Sequence, residues 1–305
     1  MGPVGQVLAA FFKEAGCEVA VTDLDKEKLS LIRHDGVELV EKLEKKVYFK
    51  HVYNSIEDLL DHDFDILVCA VKAYHVDHII KQIEAKPTKK DLFLLSAQNG
   101  IDVRRKYISH FEESRIFRMV VNYAGNLQAP NVTAVTFFNA PNFVANVDDK
   151  HPEVSAWIAE VLTSVGLITD SVDSFCVSSK VWEKTILNAA LSPLCALSRL
   201  TMKEAMSHPD TLEIVEQVIY EAVEVAKAEE IKLPENFVKL CIRYLNNAGN
   251  HMPSLAIDLI NNHPTEIDYM NGKIVEYGRK HYIKTPLNLT LTNLVRAISH
   301  KNGLR

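Results

Sequence analysis

Apolar and polar positions along the chain change rhythm near residue 174. Ahead of it, helix-like and strand-like runs alternate. Leu8, Phe11, Phe12 and Ala15 recur at i, i+3, i+4 and i+7, the stripe of a helix with one buried face, and Gly16 suits its stop. Residues 17–22 then read as a strand that ends at Asp23. Residues 65–71 form a continuous apolar run after Asp65, which predicts a parallel strand covered on both faces. Val76, Ile79, Ile80 and Ile83 predict the next helix, and Leu92-Phe93-Leu94-Leu95 the next strand, which leads into Gln98-Asn99-Gly100. Strand patterns around 119–121, 132–138 and 143–147 come closer together and predict antiparallel additions. Residues 152–166 predict a helix with Val154, Trp157, Ile158, Val161 and Leu162 inward.

After about Ser174 the strand signals stop. Only helical periodicity follows, broken at Pro209, Pro234, Pro253, Pro264 and Pro286. The expected architecture is an α/β doubly wound domain over 1–174, binding a dinucleotide, and an all-α domain over 175–305 for substrate and catalysis.

Composition narrows the functional classes. With 305 residues and 47% hydrophobic content, two ordinary domains can each bury a core. A net charge of −6, with no Lys/Arg block among aromatics, offers nothing to nucleic acid. Cys17, Cys69, Cys176, Cys195 and Cys241 are scattered without a C-x-x-C pair, so neither a metal site nor a disulfide framework is expected. No apolar run approaches the ~18 residues of a membrane span, and no signal-peptide pattern precedes the first glycines. A cytoplasmic protein is the default expectation.

The first residues carry candidate chemistry. In the fingerprint G-x-G-x-x-G, glycines lead from a buried strand into a helix whose N-terminus faces a pyrophosphate. Gly2 and Gly5 fit its second and third glycines, which makes Gly2, Pro3, Val4 and Gly5 candidate phosphate contacts in a Rossmann-like domain. Asp23 follows within the roughly 20-residue spacing at which a carboxylate accepts the adenosine ribose hydroxyls. Such a carboxylate repels a 2′-phosphate, so NAD(H) is favoured, with NADP(H) as the alternative. Asp23 or Asp25 could instead only cap the helix beginning near Lys26. Lys72 stands at the C-terminal end of the 65–71 strand, where open α/β sheets bind ligands.

The helical half holds a second cluster. Lys184, Asn188 and Ser192 recur every fourth position and share one helix face, with Trp182, Ile186 and Ala190 opposite. An amine, an amide and a hydroxyl on one ridge could grip a small anion and its carbonyl, or could be no more than a solvated face. Pro264 and Glu266 suit a helix start. A lone carboxylate there is commonly only a dipole partner. Gly272 inside that helix costs about 1 kcal/mol against Ala, which close packing of another backbone would explain.

Six segments follow in one order: Gly2-Pro3-Val4-Gly5, Val71-Lys72-Ala73, Gln98-Asn99-Gly100, Trp182-x-Lys184-x-x-x-Asn188, the stretch from Pro264 to Gly272, and Thr285-Pro286-Leu287-Asn288. Together they resemble the ketopantoate reductase (2-dehydropantoate 2-reductase) family over nearly the whole chain. The resemblance implies hydride transfer from a nicotinamide cofactor to a 2-oxo acid, giving a D-2-hydroxy acid. Ketopantoate is the first candidate for that substrate. It implies that Lys184 is the general acid that protonates the carbonyl oxygen and that Glu266 orients substrate and Lys184. Lys72 and Asn99 would hold cofactor and line the substrate cleft, while Asn188 and Ser254 would bind substrate, with Ser254 near its carboxylate. Family members occur as monomers and as homodimers.

The chain departs from the family pattern at three places. A strand and a first glycine usually precede the position of Gly2, so a start upstream of Met1 is expected. Ser192 replaces a second asparagine that contacts substrate, and His251 also stands where asparagine is frequent, which puts the substrate side chain in question. Asp23 replaces the basic or neutral residue common among NADP-using members. Two alternatives follow: a D-mandelate-like 2-hydroxyacid dehydrogenase on the same scaffold, or a catalytically silent nucleotide-binding or truncated product.

Overall fold

The first helix, α1 (Pro3–Glu14), buries every residue from Gly5 to Phe12. A helix apolar nearly all round has no solvent face to offer, and strands and helices close over it. Its one buried polar side chain is satisfied: Gln6 Nε2 donates to the Pro130 carbonyl at 2.7 Å, and Thr133 Oγ1 donates to Gln6 Oε1 at 2.8 Å. That pairing removes the cost of an unmet amide in the core.

The computed structural model describes residues 1–86 and 92–304. It divides into two units, Met1–Gln98 with Val103–Val177, and Asn99–Asp102 with the chain from Ser178 onward. After α1 the first unit contains β1 (Ala20–Thr22), α2 (Lys26–Asp35), β2 (Val37–Glu41), β3 (Lys45–Val47), β4 (His51–Tyr53), α3 (Ile56–Leu60), β5 (Ile66–Cys69), α4 (Val76–Glu84), β6 (Phe93–Ser96) and α5 (Val103–Ile108). It continues with β7 (Ile116–Val120), β8 (Tyr123–Ala129), β9 (Val132–Phe138), β10 (Asn142–Asn146), α6 (Pro152–Ser164) and β11 (Thr169–Ser171). The five-stranded sheet runs β11-β10-β7-β6-β5, with β5, β6 and β7 parallel and β10 antiparallel to β7. The parallel part is the doubly wound portion that the apolar runs predict; of the strands expected as antiparallel additions, β10 is antiparallel to β7 and β9 to β8, whereas β7 extends the parallel run and β9 is parallel to β2. A four-stranded sheet, β3-β2-β9-β8, and a parallel β1–β4 pair are hydrogen-bonded separately.

One helix departs from expectation at a single residue. On α6 the buried stripe is Ser155, Ile158, Ala159 and Leu162, and Trp157 is 45% exposed. Ser155 turns inward because its Oγ accepts the Asn146 N–H at 2.9 Å, the end of β10. Ile158 and Leu162 are buried as expected, and Val154 and Val161 pack against the same core.

The second unit is helical: α7 (Ser174–Ser198, entering from the first unit), α8 (Met202–Ser207), α9 (Pro209–Ala228), α10 (Phe237–Asn246), α11 (Ser254–Ile260), α12 (Asn271–Lys280) and α13 (Pro286–Lys301). Its core gathers Trp182, Ile186 and Ala190 of α7 with Val218, Ile219 and Ala222 of α9 and Val295 of α13. Glu221 of α9 closes the start of α13, accepting the Leu287 and Asn288 N–H groups at 2.9 and 3.0 Å. Two of the donors orphaned at a helix start are thereby met. Among the described residues no helix is long and apolar enough to cross a membrane.

Candidate active site

In the first unit the glycine turn becomes the start of α1. Gly2 is the N-cap, Pro3 the first helical residue, and no side chain caps the exposed N–H groups. Proline there loses nothing, since its position has no intrahelical acceptor. The first turn also carries no acidic residue, so uncapped donors and the positive end of the helix dipole are left for an anion. Gly5 is buried against the strand end: a Cβ there would stand 3.5 Å from Ala70 Cβ. This brings the turn beside the end of β5, two residues before the half-buried Lys72. These features fit a dinucleotide pyrophosphate held by Gly2, Val4, Gly5 and the Lys72 neighbourhood.

Asp23 lies at the end of β1 and is brought to the same turn, because its Oδ2 pairs with the Met1 ammonium and, at 3.1 Å, with Lys28 Nζ. Its Oδ1 accepts the Asp25 N–H at 2.9 Å. Burial opposes ionisation of this carboxyl, but the Met1 ammonium, the Asp25 N–H and Lys28 outweigh it and hold its pKa at about 2. The cap of α2 is Asp25, whose Oδ1 accepts from Lys28 N at 3.1 Å. Asp23 therefore is not the helix cap, yet its negative charge is shared with two cations that sequence reading did not foresee.

In the second unit Lys184 and Asn188 are half-buried on α7 and Ser192 is 5% exposed. The stripe is thus not a freely solvated face. Glu266 is 5% exposed. The helix expected around Pro264 does not form: Glu266 precedes a single 3₁₀ turn, Ile267–Tyr269, and α12 begins only at Asn271. Gly272 sits at the junction in close contact: a Cβ there would lie 3.3 Å from the Ile267 carbonyl oxygen.

Asn99 joins this helical unit, although it follows a strand of the other. Ile101 N donates to the Tyr269 carbonyl at 2.9 Å, and Tyr269 N donates to that of Glu266 at 3.0 Å. Gly100 has φ +101, and a Cβ would come within 2.6 Å of Tyr269 Cβ, so only glycine seats the segment so closely. Asp102 Oδ2 accepts from Tyr277 Oη at 2.5 Å and pairs with Lys273 at 3.3 Å. Asn99 is thereby fastened beside the Glu266 turn. Ser254, the exposed first residue of α11, has no hydrogen bond to Glu266 or α7 among the described residues.

A cation, an amide and a buried carboxylate gathered in one unit suit proton delivery to a carbonyl oxygen and orientation of a small acid. Burial raises the thiol pKa of Cys69 to about 11 and of Cys195 and Cys241 to about 12, which leaves them protonated and poor nucleophiles near neutrality. The sequence reading places Asn271 and Asn288 within family-like segments without giving them a role, and does not single out Glu221, Asp102 or Tyr277. Pro193 inside α7 is a usable signal for Asn271, because a proline there leaves a carbonyl seeking a donor.

The profile described as "Ketopantoate reductase PanE/ApbA" matches residues 1–145, and its companion, "Ketopantoate reductase PanE/ApbA C terminal", matches residues 177–299. A 2-dehydropantoate 2-reductase of Streptococcus pyogenes serotype M1 is 29% identical over 238 residues, covering 76% of this chain and 75% of that one. A solved D-mandelate dehydrogenase with NADH and anilino(oxo)acetate shares the fold at TM-score 0.88 and 23% identity, covering 100% of this chain and 97% of that one. A PanE/ApbA family ketopantoate reductase from Ralstonia eutropha JMP134 does so at TM-score 0.87 and 24% identity, covering 99% and 97%.

Proposed function

Given that the chain belongs to the ketopantoate reductase family, we propose that it reduces ketopantoate to pantoate with NADH as the preferred donor. The family is one of nicotinamide-dependent oxidoreductases acting on CH–OH groups. The bound reduced nicotinamide supplies hydride to the substrate carbonyl carbon. Lys184 donates a proton to the carbonyl oxygen as negative charge develops there, and a positioned donor of this kind contributes about 10²–10⁴ in rate. Glu266 orients the Lys184 amine and the substrate hydroxyl. Asn99, Asn188 and Ser192 hold the substrate by hydrogen bonds, and Ser254 meets its carboxylate. Gly2, Pro3, Val4 and Gly5 take the pyrophosphate, Lys72 and Asn99 steady the cofactor, and Asp23 accepts the ribose hydroxyls.

The observation that supports this reading is the presence, within one helical unit, of a half-buried lysine on α7 and the buried carboxylate of Glu266. A second reading, a D-2-hydroxyacid dehydrogenase for a bulkier side chain, is favoured by Ser192, which is smaller than the asparagine it replaces. Nicotinamide oxidation measured with ketopantoate, phenylglyoxylate and branched 2-oxo acids, each with NADH and NADPH, tests both. The highest kcat/KM with ketopantoate and NADH is expected. A preference for phenylglyoxylate selects the second reading, and NADH binding without turnover on any 2-oxo acid contradicts both.

A further inference from the structure

Pro193 lies inside α7, where it has no N–H to give the carbonyl four residues back, Ala189. The helix nonetheless continues to Ser198. The missing donor comes from elsewhere: Asn271 Nδ2 donates to the Ala189 carbonyl at 2.9 Å. Its second N–H goes to Asn288 Oδ1 at 3.0 Å, and Asn288 Nδ2 goes on to Glu221 Oε2 at 2.7 Å. Asn271 and Asn288 are both fully buried.

Asn271 Oδ1 has no partner. Burying an unmet acceptor is costly, and an apolar residue of similar size would avoid it. Asparagine at this place makes sense for its two N–H groups. Their targets are specific: Ala189 is the neighbour of Asn188, five residues after Lys184 and three before Ser192. Asn271 itself begins α12, directly after the turn that Glu266 opens. One side-chain amide thus ties the lysine-bearing helix to the carboxylate-bearing turn.

We propose that Asn271 is a positioning residue, a side-chain substitute for the backbone bond that Pro193 removes. It holds the Lys184–Ser192 face of α7 in place relative to Glu266. The proposal rests on the reading of Lys184 and Glu266 given above. Asn271 touches neither substrate nor cofactor in this account; it acts through the helix.

The test is a double-mutant cycle of Asn271→Leu and Pro193→Ala in the full-length enzyme, at a temperature where every variant is folded. Asn271→Leu is expected to lower kcat on ketopantoate about 10- to 100-fold with the NADH Kd, from fluorescence titration, within about twofold. In the Pro193→Ala background the same substitution costs far less, because the introduced alanine restores a backbone N–H that reaches the Ala189 carbonyl. Hydrogen–deuterium exchange of amides 188–196 follows the same pattern, faster in Asn271→Leu and slower again in the double variant. An unchanged kcat in folded Asn271→Leu overturns the proposal, as does an equal loss in both backgrounds. If wild-type enzyme reduces no 2-oxo acid, the functional reading fails, and exchange alone decides whether Asn271 holds the helix.

Discussion

Asp23 shows how much one carboxylate has to serve. Burial opposes ionisation of its carboxyl, while the Asp25 N–H and Lys28 favour it. The same residue sets the cofactor expectation. Asp23→Ala should lower the NADH-over-NADPH ratio of kcat/KM by about tenfold, read from steady-state rates with each cofactor. The acidic residue at a strand end was legible in the sequence. Its two cationic neighbours were not, because one of them, the Met1 ammonium, lies 22 residues away along the chain.

At the scale of elements, periodicity finds the helices and misjudges some of their faces and starts. The Lys184 stripe is visible because three polar residues recur at helical spacing. Apolar count alone points Trp157 inward with Val154, Ile158, Val161 and Leu162, yet only the other four pack on the core. It also starts α12 too early, since Pro264 and Glu266 carry first-turn preferences while the chain makes a 3₁₀ turn to seat Gly100 against Tyr269. The start of α2 is finished locally by Asp25, whereas that of α13 is finished by a partner distant in sequence. Glu221 accepts three hydrogen bonds from Leu287 and Asn288, at 2.9, 3.0 and 2.7 Å. Glu221→Ala should cost about 2–3 kcal/mol in chemical denaturation, whereas a loss below about 0.5 kcal/mol would show that water replaces the carboxylate freely.

For the molecule as a whole, the division into an α/β half and a helical half was legible from the change of period near Ser174. The candidate site residues read from the sequence form two sets, each within its own unit, with one regrouping: Asn99–Asp102 belongs with the helical residues. No local pattern foretells that move, which depends on Gly100 meeting Tyr269 and on Asp102 meeting Tyr277 and Lys273. The family assignment rests on the whole chain, and the proposed chemistry narrows to one group, the Lys184 ammonium. The most direct test is kcat for ketopantoate reduction by Lys184→Ala, measured beside its NADH Kd. A fall of about 10²–10⁴ with unchanged cofactor affinity is predicted; a rate within a few-fold of wild type would contradict proton delivery by Lys184.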